Sequence, residues 1–218
     1  MSAIELLHVD KFYGSRPALS DFSLNVETGE RVVIHGPSGC GKTTVLRLIA
    51  GFAAPDRGSV RIGGKVVAQG TKILIDPEHR NLGMVFQDLA LWPHLPVRGN
   101  LEFALKAQGL RRDIREKRIQ EMLARVRLDG FEDSYPTRLS GGQQQRVAVA
   151  RALVSQPLAL LMDEPLSNLD DDLKEELLDH ILELHAQLGF TLIYVTHSRQ
   201  EIERLAARVI RMPTCPSK

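Results

Sequence analysis

Residues 36–43 read Gly36-Pro37-Ser38-Gly39-Cys40-Gly41-Lys42-Thr43, a complete G-x-x-x-x-G-K-[ST] pattern. Glycines let successive backbone N–H groups turn inward around an anion, and a helix starting at the end of the loop adds the positive end of its dipole. Lys42 can reach the outer phosphates of a nucleotide, and the Thr43 hydroxyl can ligate Mg²⁺. Such a metal needs a carboxylate, and the apolar run Leu158 to Met162 ends in Asp163 with Glu164 next. Side chains alternate along a strand, so the two carboxylates point differently: Asp163 suits the metal, and Glu164 suits an attacking water. Leu139-Ser140-Gly141-Gly142-Gln143 is a second anion site of the same physical kind, small residues at a helix start. Blander readings exist for each: a glycine-rich turn that binds nothing, an Asp-Glu-Pro helix start, and Ser140 as a plain N-cap. The strand before the loop and the helix after it favour phosphate binding. Two phosphate-type sites far apart in the chain suit a head-to-tail pair in which each subunit completes the other's site.

The elements that position these residues alternate between strand and helix, the pattern of an α/β fold. Phe22, Leu24 and Val26 alternate with polar residues up to a turn at Glu27-Thr28-Gly29-Glu30, and Arg31 to His35 is a short apolar strand entering the phosphate loop. A helix over Thr43 to Ala50 should stop at Gly51, and Gly63-Gly64 marks a hairpin. Leu158 to Met162 and Thr191 to Val195 read as buried strands, and helices are expected over Gln143 to Ser155 and Asp171 to Leu188. Between Asn100 and Arg127 the pattern is helical and charged, with Arg111, Arg112, Arg115, Lys117, Arg118 and Glu121 on what reads as a solvated face.

Length and charge narrow the classes. A chain of 218 residues suits one domain carrying an insertion, and 28 Lys and Arg against 27 Asp and Glu argue against a partner held by counterion release. Direct nucleic-acid binding is therefore not expected. The longest apolar run, Leu158 to Met162, is far short of the roughly 20 residues of a membrane span, and MSAIELLHVD does not read as a signal peptide. Cys40 and Cys215 form no metal or redox motif.

The motifs, in this order and over about Ile4 to Met212, resemble the ATP-binding cassette (ABC) ATPases, the nucleotide-binding subunits of ABC transporters. The resemblance implies a P-loop NTPase core, a RecA-like parallel sheet with an N-terminal antiparallel β subdomain, carrying a helical insertion. The core would occupy about residues 1–87 and 156–218, the helical part about 88–155, with no C-terminal regulatory domain. It implies ATP and Mg²⁺ as bound groups. The loop from Gly36 through Thr43 and Thr44 would hold the phosphates and Tyr13 would stack on adenine. Gln87 would touch the metal beside Thr43 and Asp163. Leu139 to Gln143, with Ser140, Gly141, Gly142 and Gln143 as ligands, would be the signature that closes on the opposite subunit's nucleotide. Ser167-Asn168-Leu169-Asp170 resembles the D-loop, and His197 the switch histidine; Glu164, His197 and Lys42 would be catalytic. His8, His35, His79, His94, His180 and His185 lack such context and read as structural or surface residues.

Gly83 to Asp88 with Leu91-Trp92-Pro93-His94-Leu95 resembles the importer branch serving ion, polyamine or sugar uptake. The resemblance implies transmembrane permease subunits docking on the Gln87 to Leu95 region, a second cassette subunit, and a cytoplasmic chain peripheral on the inner face of the membrane. Ser198 and Arg199 stand where importers usually carry an acidic residue after the histidine, and Gly99 replaces another acidic position. After Met212 come Pro-Thr-Cys-Pro-Ser-Lys, whose prolines should not extend a central strand. A soluble ABC ATPase, an exporter subunit, a phosphate-loop kinase or GTPase, and a non-catalytic ATP-binding regulator are the competing classes. The kinase or GTPase would have no use for the signature, and Glu164 with His197 argues against the regulator.

Overall fold

The computed structural model describes residues 1–213; Cys215 and the second proline of the terminal segment lie outside them. Two sheets share the work. Ser2–Tyr13 (β1) pairs antiparallel with Arg16–Glu27 (β2) and with Arg57–Ile62 (β4). Lys65–Gln69 (β5) and Lys72–Ile73 (β6) complete a five-stranded sheet of order β2-β1-β4-β5-β6. The second sheet is parallel throughout. Arg31–His35 (β3), Leu82–Val85 (β7), Ala159–Asp163 (β8), Thr191–Thr196 (β9) and Arg208–Arg211 (β10) run in the order β10-β3-β9-β8-β7. Helices Lys42–Ala50 (α1), Val97–Ala107 (α2), Arg112–Arg125 (α3), Gly141–Leu153 (α4), Asp171–Leu188 (α5) and Arg199–Leu205 (α6) connect and cover it. This is the mixed α/β class expected.

The unbroken apolar runs of the parallel strands follow from burial on both faces. Val32, Ile34, Ala159, Leu161, Ile193 and Val195 join α1 and the antiparallel sheet in one core. Val33, Leu160, Met162, Leu192 and Tyr194 face the other way, into a core built with α2, α3, α4 and α5. Neighbouring residues on one strand thus belong to different cores.

Three details differ from the sequence reading. The charged stretch from Asn100 to Arg127 is two helices, broken at Gln108–Arg111 where Gly109 turns left-handed at φ 67°. Several of its cations are paired along the surface, Arg111 with Asp113, Arg112 with Glu116, Arg115 with Glu102 and Lys117 with Glu121. Strand β1 and helix α6 were not anticipated. Ser198 caps α6, accepting from the Glu201 N–H at 3.4 Å, so the residue that departs from the importer pattern has a structural job.

Candidate nucleotide site

The site is assembled by strand alternation. Asp163 continues the series Ala159, Leu161 that faces α1, so its carboxylate meets the first turn of that helix. There the Thr43 hydroxyl donates to Asp163 Oδ1 at 3.1 Å. Burial pushes the Asp163 carboxyl above its usual range; the Thr43 bond opposes this, and neighbouring Glu164 adds to it. A bound cation would favour the charged form. A hydroxyl and a carboxylate oxygen are the hard donors Mg²⁺ takes, and Gln87 lies with Thr43 and Asp163 along one shallow groove.

Glu164 leaves the strand in the left-handed region, φ 45°, and its N–H donates to Val195 O at 3.0 Å. A non-glycine residue held there is uncommon and collects at functional sites. The turn swings its carboxylate away from Asp163 and over the loop. Oε2 lies 3.1 Å from His197 Nδ1, and Oε1 lies 3.7 Å from Lys42 Nζ. Lys42 is itself buried, donating to Gly36 O at 2.9 Å and Pro37 O at 3.1 Å. Carboxylate, imidazole and ammonium therefore meet at one point.

A cleft of about 360 Å³ opens beside them. Ser38, Gly39, Gly41, Lys42, Thr43 and Thr44 form one wall, Glu164 another, and Tyr13 with Arg16, Pro17 and Ala18 the third. The antiparallel sheet brings this third wall over the loop so closely that a Cβ on Gly41 would sit 2.5 Å from Ala18 O. Tyr13 is half-exposed, with Lys11 Nζ 5.7 Å from its ring centre. Arg16 and Ala18 were missed from sequence; the signal was the Gly14-Ser15 turn, which sets Arg16 directly across from Tyr13. Cys40 is buried, its amide donating to Pro37 O at 3.3 Å, and Gly36 and Pro37 line a separate cleft with His35 and Arg199.

Ser140, Gly141, Gly142, Gln143 and Asp170 do not line this cleft. Ser140 and Gln143 make a reciprocal capping box at the start of α4, and Asp170 caps α5 by accepting from the Leu173 N–H. The two helix starts touch, since a Cβ on Gly142 would come within 2.9 Å of Leu173 Cδ1. Beyond Gln87, Leu89 and Ala90 are left-handed at φ 59° and 45°. Arg151 of α4 donates to both of their carbonyls and lies 5.1 Å from the Trp92 ring centre. Buried Asn100 bonds to Trp92, Leu95 and Pro96, so the 87–96 loop is pinned. Phe103, exposed, packs on Trp92, and Phe52, also exposed, stacks on Phe86.

A phosphate loop between a buried parallel strand and a helix, facing a strand-tip carboxylate, defines a phosphate-loop nucleotide-binding domain. Within that class the chain belongs to the ABC transporter family, whose description matches residues 19–167. It is 46% identical over 213 residues to the spermidine/putrescine import ATP-binding protein PotA of Chromobacterium violaceum, covering 97% of this chain and 57% of that protein. It is also 46% identical over 207 residues to the Fe(3+) ions import ATP-binding protein FbpC of Pasteurella multocida, covering 95% and 58%. The chain thus spans little more than half the length of the curated relatives it matches. Among solved structures it resembles the dimeric bacterial ABC transporter cassette MJ0796, with TM-score 0.80 and 33% identity over 96% of this chain and 94% of that one. The same cassette in a dimeric post-hydrolysis state bound to ADP and Pi matches at TM-score 0.81 and 34% identity, with the same coverage.

Proposed function

We propose that the chain hydrolyses ATP as one of a head-to-tail pair and that this powers solute uptake through partner permease subunits in a membrane. The observation that carries the reading is Glu164, held between Lys42 and His197 at the mouth of the phosphate loop. The names of the relatives, import ATP-binding proteins for polyamines and for Fe(3+), support uptake; no described helix is long and apolar enough to cross a membrane.

Tyr13 offers an aromatic face to adenine, and the N–H groups of Ser38, Gly39 and Gly41 with those of Thr43 and Thr44 cradle the phosphates, while the Cys40 amide stays with Pro37 O. Lys42 stabilises charge on the transferring phosphoryl. Thr43, Asp163 and Gln87 would hold Mg²⁺, which would supply neutralising charge to the outer phosphate oxygens when bound. Glu164 orients the attacking water and takes its proton, while His197 holds the Glu164 carboxylate and faces the outer phosphate. The partner's phosphates meet the helix start at Ser140 to Gln143, with Asp170 beside it. The core would comprise about residues 1–87 and 156–218, with α2–α4 as the helical part. The pinned, aromatic loop from Gln87 to Leu95, with Phe52 and Phe103 beside it, is the surface for a permease on the cytoplasmic face. Relatives named for chemically unrelated solutes share this cassette, so solute choice belongs to the partners.

The test is Glu164→Gln. The variant should form dimers with MgATP in light scattering while steady-state hydrolysis falls by about 10²–10⁴, the usual worth of a general base. Unchanged hydrolysis would overturn the assignment.

A further inference from the structure

Outside the nucleotide site, one buried polar cluster joins three helices. Arg146, on α4 one turn beyond the Ser140–Gln143 cap, donates through Nη2 to Glu176 at 2.7 Å and through Nη1 to Val126 O at 3.2 Å. Nη1 also contacts His180 Nδ1, and His180 Nε2 lies 2.8 Å from Arg125 O. Both Arg146 and His180 are buried. A guanidinium only donates and a carbonyl only accepts, so the ring has one permitted state: Nδ1 bare, Nε2 protonated, net neutral. The ring is thus wired to the end of α3 on one side and to α4 on the other, from its own place on α5.

We infer that His180 is a positioning residue: the neutral ring ties α3, α4 and α5 at one point, sets the Ser140–Gln143 turn against the start of α5, and releases it when protonated. The inference rests on the proposed function to the extent that this turn completes the partner's site. Protonation would place a second cation against Arg146 and remove the lone pair it bonds. Facing the ring are Arg146 from α4, Arg127 just past α3, and Glu176 and Glu183 from α5. Glu176 is taken by Arg146, and Glu183 by Arg127 at 2.8 Å, so the nearby acids are already engaged. Burial, with Arg146 and Arg127 adding to it, holds the ring's pKa below its ordinary value, against the Arg125 carbonyl and Glu183. Of the histidines that read as structural, this one reaches the signature helix.

The experiment uses His180→Gln and His180→Ala in the full chain. Glutamine can accept from Arg146 and donate to Arg125 O but does not titrate. Hydrogen exchange of residues 139–147, corrected for intrinsic rates, should lose protection in the parent between pH 7.5 and 5.5, by up to about tenfold because pH 5.5 lies about one unit below the ordinary histidine pKa. H180Q should stay protected across that range and H180A should be unprotected throughout. In the Glu164→Gln background, H180A should weaken MgATP-dependent dimerisation at pH 7.5, with H180Q restoring it and nucleotide affinity of the monomer unchanged. Parental protection in H180A, or parental titration in H180Q, overturns the inference. If exchange behaves as stated but the Glu164→Gln parent does not dimerise, the proposed function fails and the tie stands.

Discussion

Arg80 is a buried cation bonded mainly to backbone, and Arg80→Met measures what it holds. Its Nη1 donates to Leu48 O at 2.9 Å and Ile49 O at 2.8 Å, carbonyls at the end of α1 that no further turn can satisfy. Nε donates to Ile75 O at 2.9 Å and Nη2 to Val67 O at 3.2 Å, tying α1 to the antiparallel sheet. The residue is 3% exposed, and burial pulls its pKa down while Asp76 partly opposes. Four charge-assisted bonds at about 1.5–3 kcal/mol each give a gross loss of roughly 6–12 kcal/mol. Methionine fills much of the volume and relieves several kcal/mol of guanidinium desolvation. The net expectation is a loss of about 3 kcal/mol. With a urea m-value of about 3 kcal/mol/M, the unfolding midpoint should fall by about 1 M. Arg80→Lys should fall between, because one ammonium cannot span carbonyls on both sides of the fork. An R80M midpoint within about 0.2 M of wild type, or R80K indistinguishable from wild type, would refute the argument.

Arg151→Met should release the carbonyls of left-handed Leu89 and Ala90, raising limited-proteolysis cleavage within residues 87–95 several-fold; an unchanged cleavage rate would show that Arg151 does not hold the loop. His180 and His185 are both pushed down by burial against backbone acceptors that raise them. The unfolded chain therefore takes up protons near pH 6.5 that the folded chain refuses, so stability is complete above that value and declines as pH falls through it toward the folded pKa values. The melting temperature should drop from pH 7.5 to 5.5, less so in His185→Gln, and a flat profile would count against buried neutral rings.

Sequence made the phosphate-loop half of the fold readable because β3, the loop and α1 each carry a strong local signal: an apolar run, obligate glycines, and Gly51 as a left-handed cap at φ 89°. Strand β1 escaped because its alternation changes parity. Ile4 and Leu6 are buried, Leu7 and His8 are exposed, and Val9 is buried again, with a bulge between Leu6 and Val9 and His8 at φ 49°. Helix α6 escaped because seven residues, mostly charged, show no apolar period; its one signal was the Ser198-to-Glu201 capping spacing. In the site, residues on strand tips were legible since chain order and alternation place them. Arg16 and the proximity of Tyr13 depend on one sheet overhanging another, which no local pattern encodes. The Arg146–His180 tie was invisible for the same reason, its members being 34 residues apart.

The division of β8 between two cores restricts how this protein can change in length. Removing one residue upstream within Ala159–Asp163 would turn Met162 toward α1 and carry Asp163 to the opposite side, spoiling both interiors and the Thr43–Asp163 hydrogen bond in a single event. Drift by insertion or deletion is thereby confined to connections away from the site, such as the turn at Gly109. The loops can lengthen and diversify toward new partners, while the chemistry stays in a frame that tolerates no slippage.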